Sequence, residues 1–210
     1  MSVFAVIPVK KLTNTKMRLS GVLTPKQRQK LTLAMLKDVI TATKSSMINH
    51  IVVVGSDPTI EDLTKDFDVT YLQEKSPNLN SSLKQATQWS IKNHAKTVLI
   101  LPADIPLITA NDINQILKLG ADSPSLVIVS SHNNGTNALL QNPPNIISPR
   151  FGPNSFQKHQ TEATEKGVSP IIYESDSVAL DIDSTEDLDI LLKTENQTTT
   201  KAVLAEIKMD

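Results

Sequence analysis

Thr97-Val98-Leu99-Ile100-Leu101-Pro102-Ala103-Asp104-Ile105-Pro106-Leu107 is the stretch that most limits the folds open to this chain. A short unbroken run of apolar and β-branched residues is expected of a strand buried on both faces, as in a parallel sheet covered by helices on each side. Proline fixes φ and has no N–H to give a ladder, so Pro102 ends the strand and, with Pro106, stiffens the loop holding Asp104. The carboxylate thus sits at a strand's carboxyl end, the edge where open α/β sheets bind ligands. Two readings of Asp104 are open at this level: a turn residue satisfying nearby backbone groups, or a ligand of a divalent metal.

The chain before this stretch alternates in the same way. Val3-Phe4-Ala5-Val6-Ile7-Pro8-Val9 reads as a central strand. Thr24-Pro25-Lys26-Gln27 offers an N-cap, a proline at the first helical position and a capping-box partner, so a helix starts at Thr24. Leu31, Met35, Leu36, Val39 and Ile40 give that helix one apolar face to about Thr43. A strand at Ile51–Ser56 ends in Gly55-Ser56, where backbone can approach a ligand, and a helix over 59–65 and a strand over 69–72 follow. The order is βαβαβ. Ser76–Ser82 then opens a helix carrying Leu83, Ala86, Trp89 and Ile91, with Trp89 expected in the core. Asn80 either belongs to this helix start or reads a base edge near the sheet's mouth. Thr109 caps a helix bearing Ile113, Ile116 and Leu117.

Charge and composition exclude several partners. The 21 Lys+Arg nearly balance the 22 Asp+Glu for a net charge of −1, and aromatic residues are 3%. Neither a phosphate-neutralising surface nor a base-stacking platform is indicated, so no nucleic-acid partner is expected. The absence of cysteine removes disulfides, thiolate catalysis and cysteine-ligated metals. No apolar run approaches the roughly 18 residues of a membrane span, and the apolar-then-basic start is the reverse of a signal peptide. A cytoplasmic protein without membrane contact is expected. Lys10, Lys11, Lys16 and Arg18 crowd the loop after the first strand without acidic neighbours, a cluster that favours a polyphosphate over four solvated charges. The P-loop pattern is absent.

The second half changes character. Strands at Leu126–Ser130 and Ala138–Leu140 flank the polar loop Ser131–Asn137, which leaves no room for a helix and suits either an anion-binding loop or a long hairpin. Phe151-Gly152-Pro153-Asn154-Ser155-Phe156 leads into a helix over about 155–166, with either an Asn154 or Ser155 cap or a phosphate seat at its start. A strand over 170–173 follows, and Asp181 and Asp183 lie two apart on an extended segment before a capped helix. The four histidines share no metal-ligand spacing, and surface or capping roles are expected for each. Residues 1–193 read as one domain, with a first half to about 108 and a second half after it. Residues 194–210 read as a tail or accessory helix.

The set Ile7-Pro8-Val9-Lys10, Lys16-x-Arg18-Leu19, Pro102–Leu107 and Asp181-Ile182-Asp183 resembles the nucleotidyltransferases of glycosyltransferase-A-like fold. More narrowly, Asn134-Gly135-Thr136-Asn137-Ala138-Leu139, Phe151-Gly152-x-x-Ser155-Phe156-x-x-His159 and Asp181-Ile182-Asp183-x-x-x-Asp187-Leu188 resemble the 2-phospho-L-lactate guanylyltransferase family of deazaflavin-coenzyme (F-420) biosynthesis, over about Val3 to Leu192. The resemblance implies a Rossmann-like three-layer α/β/α fold with a mixed, mostly parallel sheet. It implies that GTP and 2-phospho-L-lactate give lactyl-2-diphospho-5′-guanosine and pyrophosphate, with magnesium. It places Lys10, Lys16 and Arg18 toward the triphosphate, and Asn80 toward the nucleotide. Asp104, Asp181 and Asp183 fall toward the metal, with Asp104 and Lys16 as catalytic residues, and Thr136, Gly152 and Ser155 toward the acceptor phosphate. It also allows a homodimer. Where relatives have glycine before the Leu-Asn of the base-side loop, this chain has Asn78. Rival acceptors are phosphoenolpyruvate, phosphoglycerate or a sugar phosphate, rival bases are cytosine and uracil, and outside the class stands a noncatalytic nucleotide-binding module.

Overall fold

The structure, a computed structural model, describes residues 2–207. Its centre is a seven-stranded sheet in which β1 (Val3–Pro8) pairs in parallel with β2 (His50–Gly55) on one side and β4 (Thr97–Ile100) on the other. The parallel β3 (Thr70–Gln73) lies outside β2. Beyond β4 come β6 (Thr136–Asn142), β5 (Ser125–Ser130) and β7 (Ile171–Ile172), giving the order β3-β2-β1-β4-β6-β5-β7. The tight loop between β5 and β6 leaves no crossover, so β6 runs antiparallel to both neighbours and the sheet is mixed.

Alternate residues of each strand face opposite sides, and both sides are covered, which accounts for the continuous apolar runs. Ile7, Val53 and Leu99 pack with Leu36, Val39 and Ile40 of α1 (Pro25–Lys44), Ile60 and Leu63 of α2 (Pro58–Asp66) and Ile113 and Ile116 of α4 (Ala110–Leu119). Val6, Val52 and Ile100 pack with Leu83 and Ala86 of α3 (Leu79–Lys92) and Ala163 of α5 (Ser155–Glu165). The result is an α/β/α sandwich. Three short helices complete it: α6 (Asp176–Ala179), which the sequence reading did not foresee, α7 (Thr185–Lys193) and α8 (Thr199–Ile207).

Helix starts follow the capping chemistry. Thr24 Oγ1 accepts the Gln27 N–H while Gln27 Oε1 accepts the Thr24 N–H, and Thr109/Asp112 and Ser184/Asp187 form the same box at α4 and α7. The expected Asn154 side-chain cap is not made, because Asn154 is left-handed (φ 56°) and its side chain forms no capping bond. Trp89 is half-buried beside Phe4, and Ile91 is 39% exposed, so that helix turns a narrower face inward than its apolar count suggests. Strand β6 starts earlier than its apolar residues indicate, since Thr136 and Asn137 are buried within it. The segment after α7 includes a helix docked on α1: the Asp38 carboxylate of α1 accepts the Thr199 and Thr200 N–H groups at 2.7 and 2.8 Å, and Leu204 is buried with Leu31 and Met35. Residues 208–210 of the expected tail lie outside the described residues.

Candidate active site

Strands β1 and β4 end side by side, β1 after Pro8, where the Val9 N–H makes a last bond to the Val54 carbonyl, and β4 just before Pro102. The loop after β4 is tied to the Asp181–Asp183 segment by the Ile182 N–H, which donates to the Asp104 carbonyl at 2.9 Å. Asp104 and Asp183, distant in sequence, are thereby brought to one place. Between them stands Lys16, held in a left-handed conformation (φ 48°) between two short 3-10 turns, Leu12–Asn14 and Met17–Leu19. Its ammonium donates to Asp104 Oδ2 at 2.6 Å and to Asp183 Oδ1 at 2.7 Å, with only 6% of its side chain exposed.

The charges of this cluster are mutually dependent. Burial opposes a charged Lys16, but the Coulombic pull and hydrogen bonds of Asp104 and Asp183 outweigh it and raise its pKa above that of an ordinary lysine. Burial also opposes ionised Asp183, yet the Lys16 contact, helped by Arg18 and Lys10, lowers its pKa. Asp181 goes the other way: burial and the neighbouring Asp104 charge raise its pKa, although the Asn137 amide donates to its Oδ1 at 3.2 Å. The two aspartates of the D-x-D pair therefore have different partners, Asp183 facing Lys16 and Asp181 facing β6.

Asp104 and Asp183 converge on a single point and offer hard carboxylate oxygens, the donor type magnesium takes. That point is filled by the Lys16 ammonium, and among the described residues no three His, Asp or Glu side chains form a ready-made cage. Two such carboxylates would suit a magnesium ion if the Lys16 ammonium moved aside. Lys10 and Arg18 are exposed, and they line the same cleft of about 400 Å³ as Lys16, Asp104 and Asp183.

The two small-residue segments of the second half meet each other, and the first reaches Asp181 through the Asn137 amide. The Phe156 N–H donates to the Asn134 carbonyl at 3.3 Å, and a Cβ on Gly135 would lie 3.9 Å from Ser155 Oγ and 2.7 Å from Ser131 Oγ. Gly152 has φ +127° with open space where a side chain would stand, a conformation glycine takes at little cost. Thr136 is buried, and its hydroxyl lies 3.0 Å from His159 Nδ1. His159 Nε2 accepts the Arg150 N–H at 3.0 Å, so the ring proton belongs on Nδ1 and is donated to Thr136 Oγ1, leaving that hydroxyl's own hydrogen to point elsewhere. His159 is fully buried, and burial lowers its pKa to about 4. The expected surface or capping role for this histidine is therefore corrected; the other three are exposed.

Asn80 lies in the first turn of α3, the helix-start reading of the two that the sequence leaves open. Its amide is paired on both sides with the Phe151 backbone, accepting the N–H at 2.8 Å and donating to the carbonyl at 3.1 Å. It tethers the Gly152 loop to the first turn of α3. His159 and Asn137 stand in the motifs that carry the resemblance but without these roles, Asn137 donating its amide also to the Val178 and Ala179 carbonyls, and Glu74 stands in none of them. Glu74 follows β3 and accepts from Ser56 Oγ at 2.6 Å and Ser82 Oγ at 3.0 Å. The signal available for Glu74 was the one that singled out Asp104, a carboxylate just past the end of a parallel strand.

Comparison with known proteins agrees with this geometry. The family model described as "Guanylyl transferase CofC like" matches residues 3–210. A phosphoenolpyruvate guanylyltransferase of Rubrobacter xylanophilus is 38% identical over 189 residues, 90% of this chain and 92% of that protein. A 2-phospho-L-lactate guanylyltransferase of Methanobrevibacter ruminantium is 37% identical over 214 residues, 96% of this chain and 90% of that protein. A nucleotidyl transferase solved from Methanothermobacter shares the fold with a TM-score of 0.73 at 14% identity, covering 98% of this chain and 99% of that one. With a family model spanning nearly all of its length, the chain belongs to the CofC-like guanylyl transferases.

Proposed function

We propose that this chain transfers the guanylyl group of GTP to 2-phospho-L-lactate, giving lactyl-2-diphospho-5′-guanosine and pyrophosphate in the biosynthesis of coenzyme F-420. The observation that carries the reading is the convergence of Asp104, Asp183 and Lys16 at the carboxyl ends of β1 and β4, inside a cleft also lined by Lys10 and Arg18. An oxygen of the acceptor phosphate attacks the α-phosphorus, the bond to the α–β bridging oxygen breaks, and pyrophosphate leaves with that oxygen. A phosphate is already a competent nucleophile, so the protein's task is alignment and charge neutralisation rather than proton abstraction.

Lys10 and Arg18 draw the triphosphate into the cleft. Asp104 and Asp183, with Asp181 beside them, hold magnesium, which when bound neutralises phosphate charge and brings two polyanions together. Lys16 keeps the two carboxylates from repelling each other in the free protein and stands within the same cleft as the phosphates it then screens. Thr136 and Ser155 hydroxyls and the open backbone at Gly152 hold the acceptor phosphate, and Asn80 fixes that loop through Phe151.

Phosphoenolpyruvate is the second acceptor to consider, since relatives named for it match this chain as well as those named for 2-phospho-L-lactate. Incubating the protein with each nucleoside triphosphate, magnesium and each acceptor, and following the products by phosphorus NMR, tests the reading. The expected result is pyrophosphate and a new diphosphate diester with GTP and 2-phospho-L-lactate, and product with phosphoenolpyruvate alone would replace the acceptor while keeping guanylyl transfer. A product with CTP or UTP alone, or with neither acid, would overturn it.

A further inference from the structure

A second cleft, of about 280 Å³, adjoins the first and shares Pro8, Val9, Lys10, Asn14 and Leu79 with it. It runs away from Asp104 toward the ends of β2 and β3, where Val54, Pro77 and Leu79 supply apolar walls and Glu74 and Ser82 supply the polar end. A nucleotide whose phosphates lie near Lys10 and Arg18 can extend its base into this second cleft. The Glu74 carboxylate is the acidic group lining it: Oε1 accepts from Ser56 at 2.6 Å, and Oε2 lies 3.0 Å from the Ser82 hydroxyl, whose one hydrogen it shares with the Ser76 and Asn78 carbonyls. The Glu74 N–H donates to the Gly55 carbonyl at 2.7 Å, which fixes the backbone as well.

We propose that Glu74 selects the base, its carboxylate accepting the N1–H and the exocyclic N2 amino group of guanine. This assignment rests on the guanylyl reading above and names the group responsible for it. A carboxylate offers acceptors only. Guanine presents two adjacent donors on its Watson–Crick edge. Adenine has an acceptor at N1, cytosine has an acceptor beside its amino group, and uracil flanks its single N–H with two carbonyl oxygens. Each of these rivals turns at least one lone pair toward Glu74. A polar group left unpaired in a partly buried site is the strongest basis for discrimination between similar ligands. Ser56 and Ser82 position the carboxylate, and the apolar walls accept the face of any base without choosing among them.

Calorimetry of the whole protein with magnesium and GTP, ITP or XTP needs no acceptor and tests this directly. Inosine lacks the N2 amino group, so wild-type protein should bind ITP about ten- to a hundredfold more weakly than GTP, the worth of one charge-assisted hydrogen bond. Xanthine replaces that amino group with a carbonyl oxygen, and the wild type should bind XTP more weakly still. In Glu74→Gln the side-chain amide can accept from N1–H and donate to that oxygen, so the variant should prefer XTP to GTP. A purely structural Glu74 cannot produce that reversal. Equal binding of GTP and ITP by the wild type, or a Glu74→Gln protein that keeps the wild-type order, would overturn the proposal. Should Glu74→Gln fail to fold, the wild-type GTP and ITP comparison decides alone. Tight GTP binding with the predicted order but no product with any acceptor would instead count against the transfer reaction and leave the base assignment standing.

Discussion

His159 shows how a single side chain couples the fold to the acceptor loops. Between the Thr136 hydroxyl and the Arg150 N–H it is required as a neutral ring, and burial lowers its pKa to about 4. In the unfolded chain an ordinary histidine titrates near 6.5. Between those values the unfolded state binds the extra proton, so the stability contributed by neutral His159 is complete above about pH 6.5 and is lost as the pH falls toward 4. The full effect is about 3 kcal/mol. Denaturant unfolding of the wild type and of His159→Gln from pH 7 to 4 should show the wild type losing more stability than the variant by roughly that amount, whereas parallel curves would mean that the ring is not held neutral. Asp104 could be found from sequence because two prolines announce its position. His159 could not, because its neighbours in sequence are polar and its burial comes from tertiary contacts with β6 and the Arg150 loop. Asn80 was found, but its partner, the Phe151 backbone, lies far along the chain and local pattern cannot supply it.

At the level of elements, capping chemistry marked the starts of α1, α4 and α7, because a cap is a local hydrogen bond between residues three apart. Strand β6 was harder to bound: Thr136 and Asn137 are polar, yet His159 and the Asn137 contacts to α6 and Asp181 allow them to be buried. The α8 helix has a cap of its own, the Thr198 hydroxyl accepting the Lys201 N–H at 3.1 Å, but its first two N–H groups are taken by Asp38 of α1. Asp38→Ala should therefore cost about 1–2 kcal/mol, the range for losing a helix N-cap. Hydrogen exchange should show the amides of residues 202–207 losing protection while those of β1 and β4 keep theirs. Unchanged protection in α8 would show that burial of Leu204 alone holds the helix.

For the whole molecule, the topology does the assembling. Strands β1 to β4 run parallel and end at one edge, so Asp104, the basic loop after β1, Ser56 and Glu74 gather there although no two are close in sequence. The alternation of apolar runs and amphipathic helices made this half of the sheet readable. The antiparallel β6 followed from the loop too short for a helix, and the Lys16 bridge was hidden because it needs both Asp104 and the late Asp183 to be in place. If the α-phosphorus reacts at this edge, Asp104→Asn disables the chemistry without unfolding the protein. The substitution keeps the shape of the side chain and leaves Lys16 paired with Asp183, so the melting temperature should stay within a few degrees of wild type. Pyrophosphate release from GTP at saturating magnesium and acceptor should fall by a few hundredfold or more, the worth of about 3–4 kcal/mol of preorganised electrostatic stabilisation. Near-wild-type release from a folded Asp104→Asn protein would place the chemistry elsewhere.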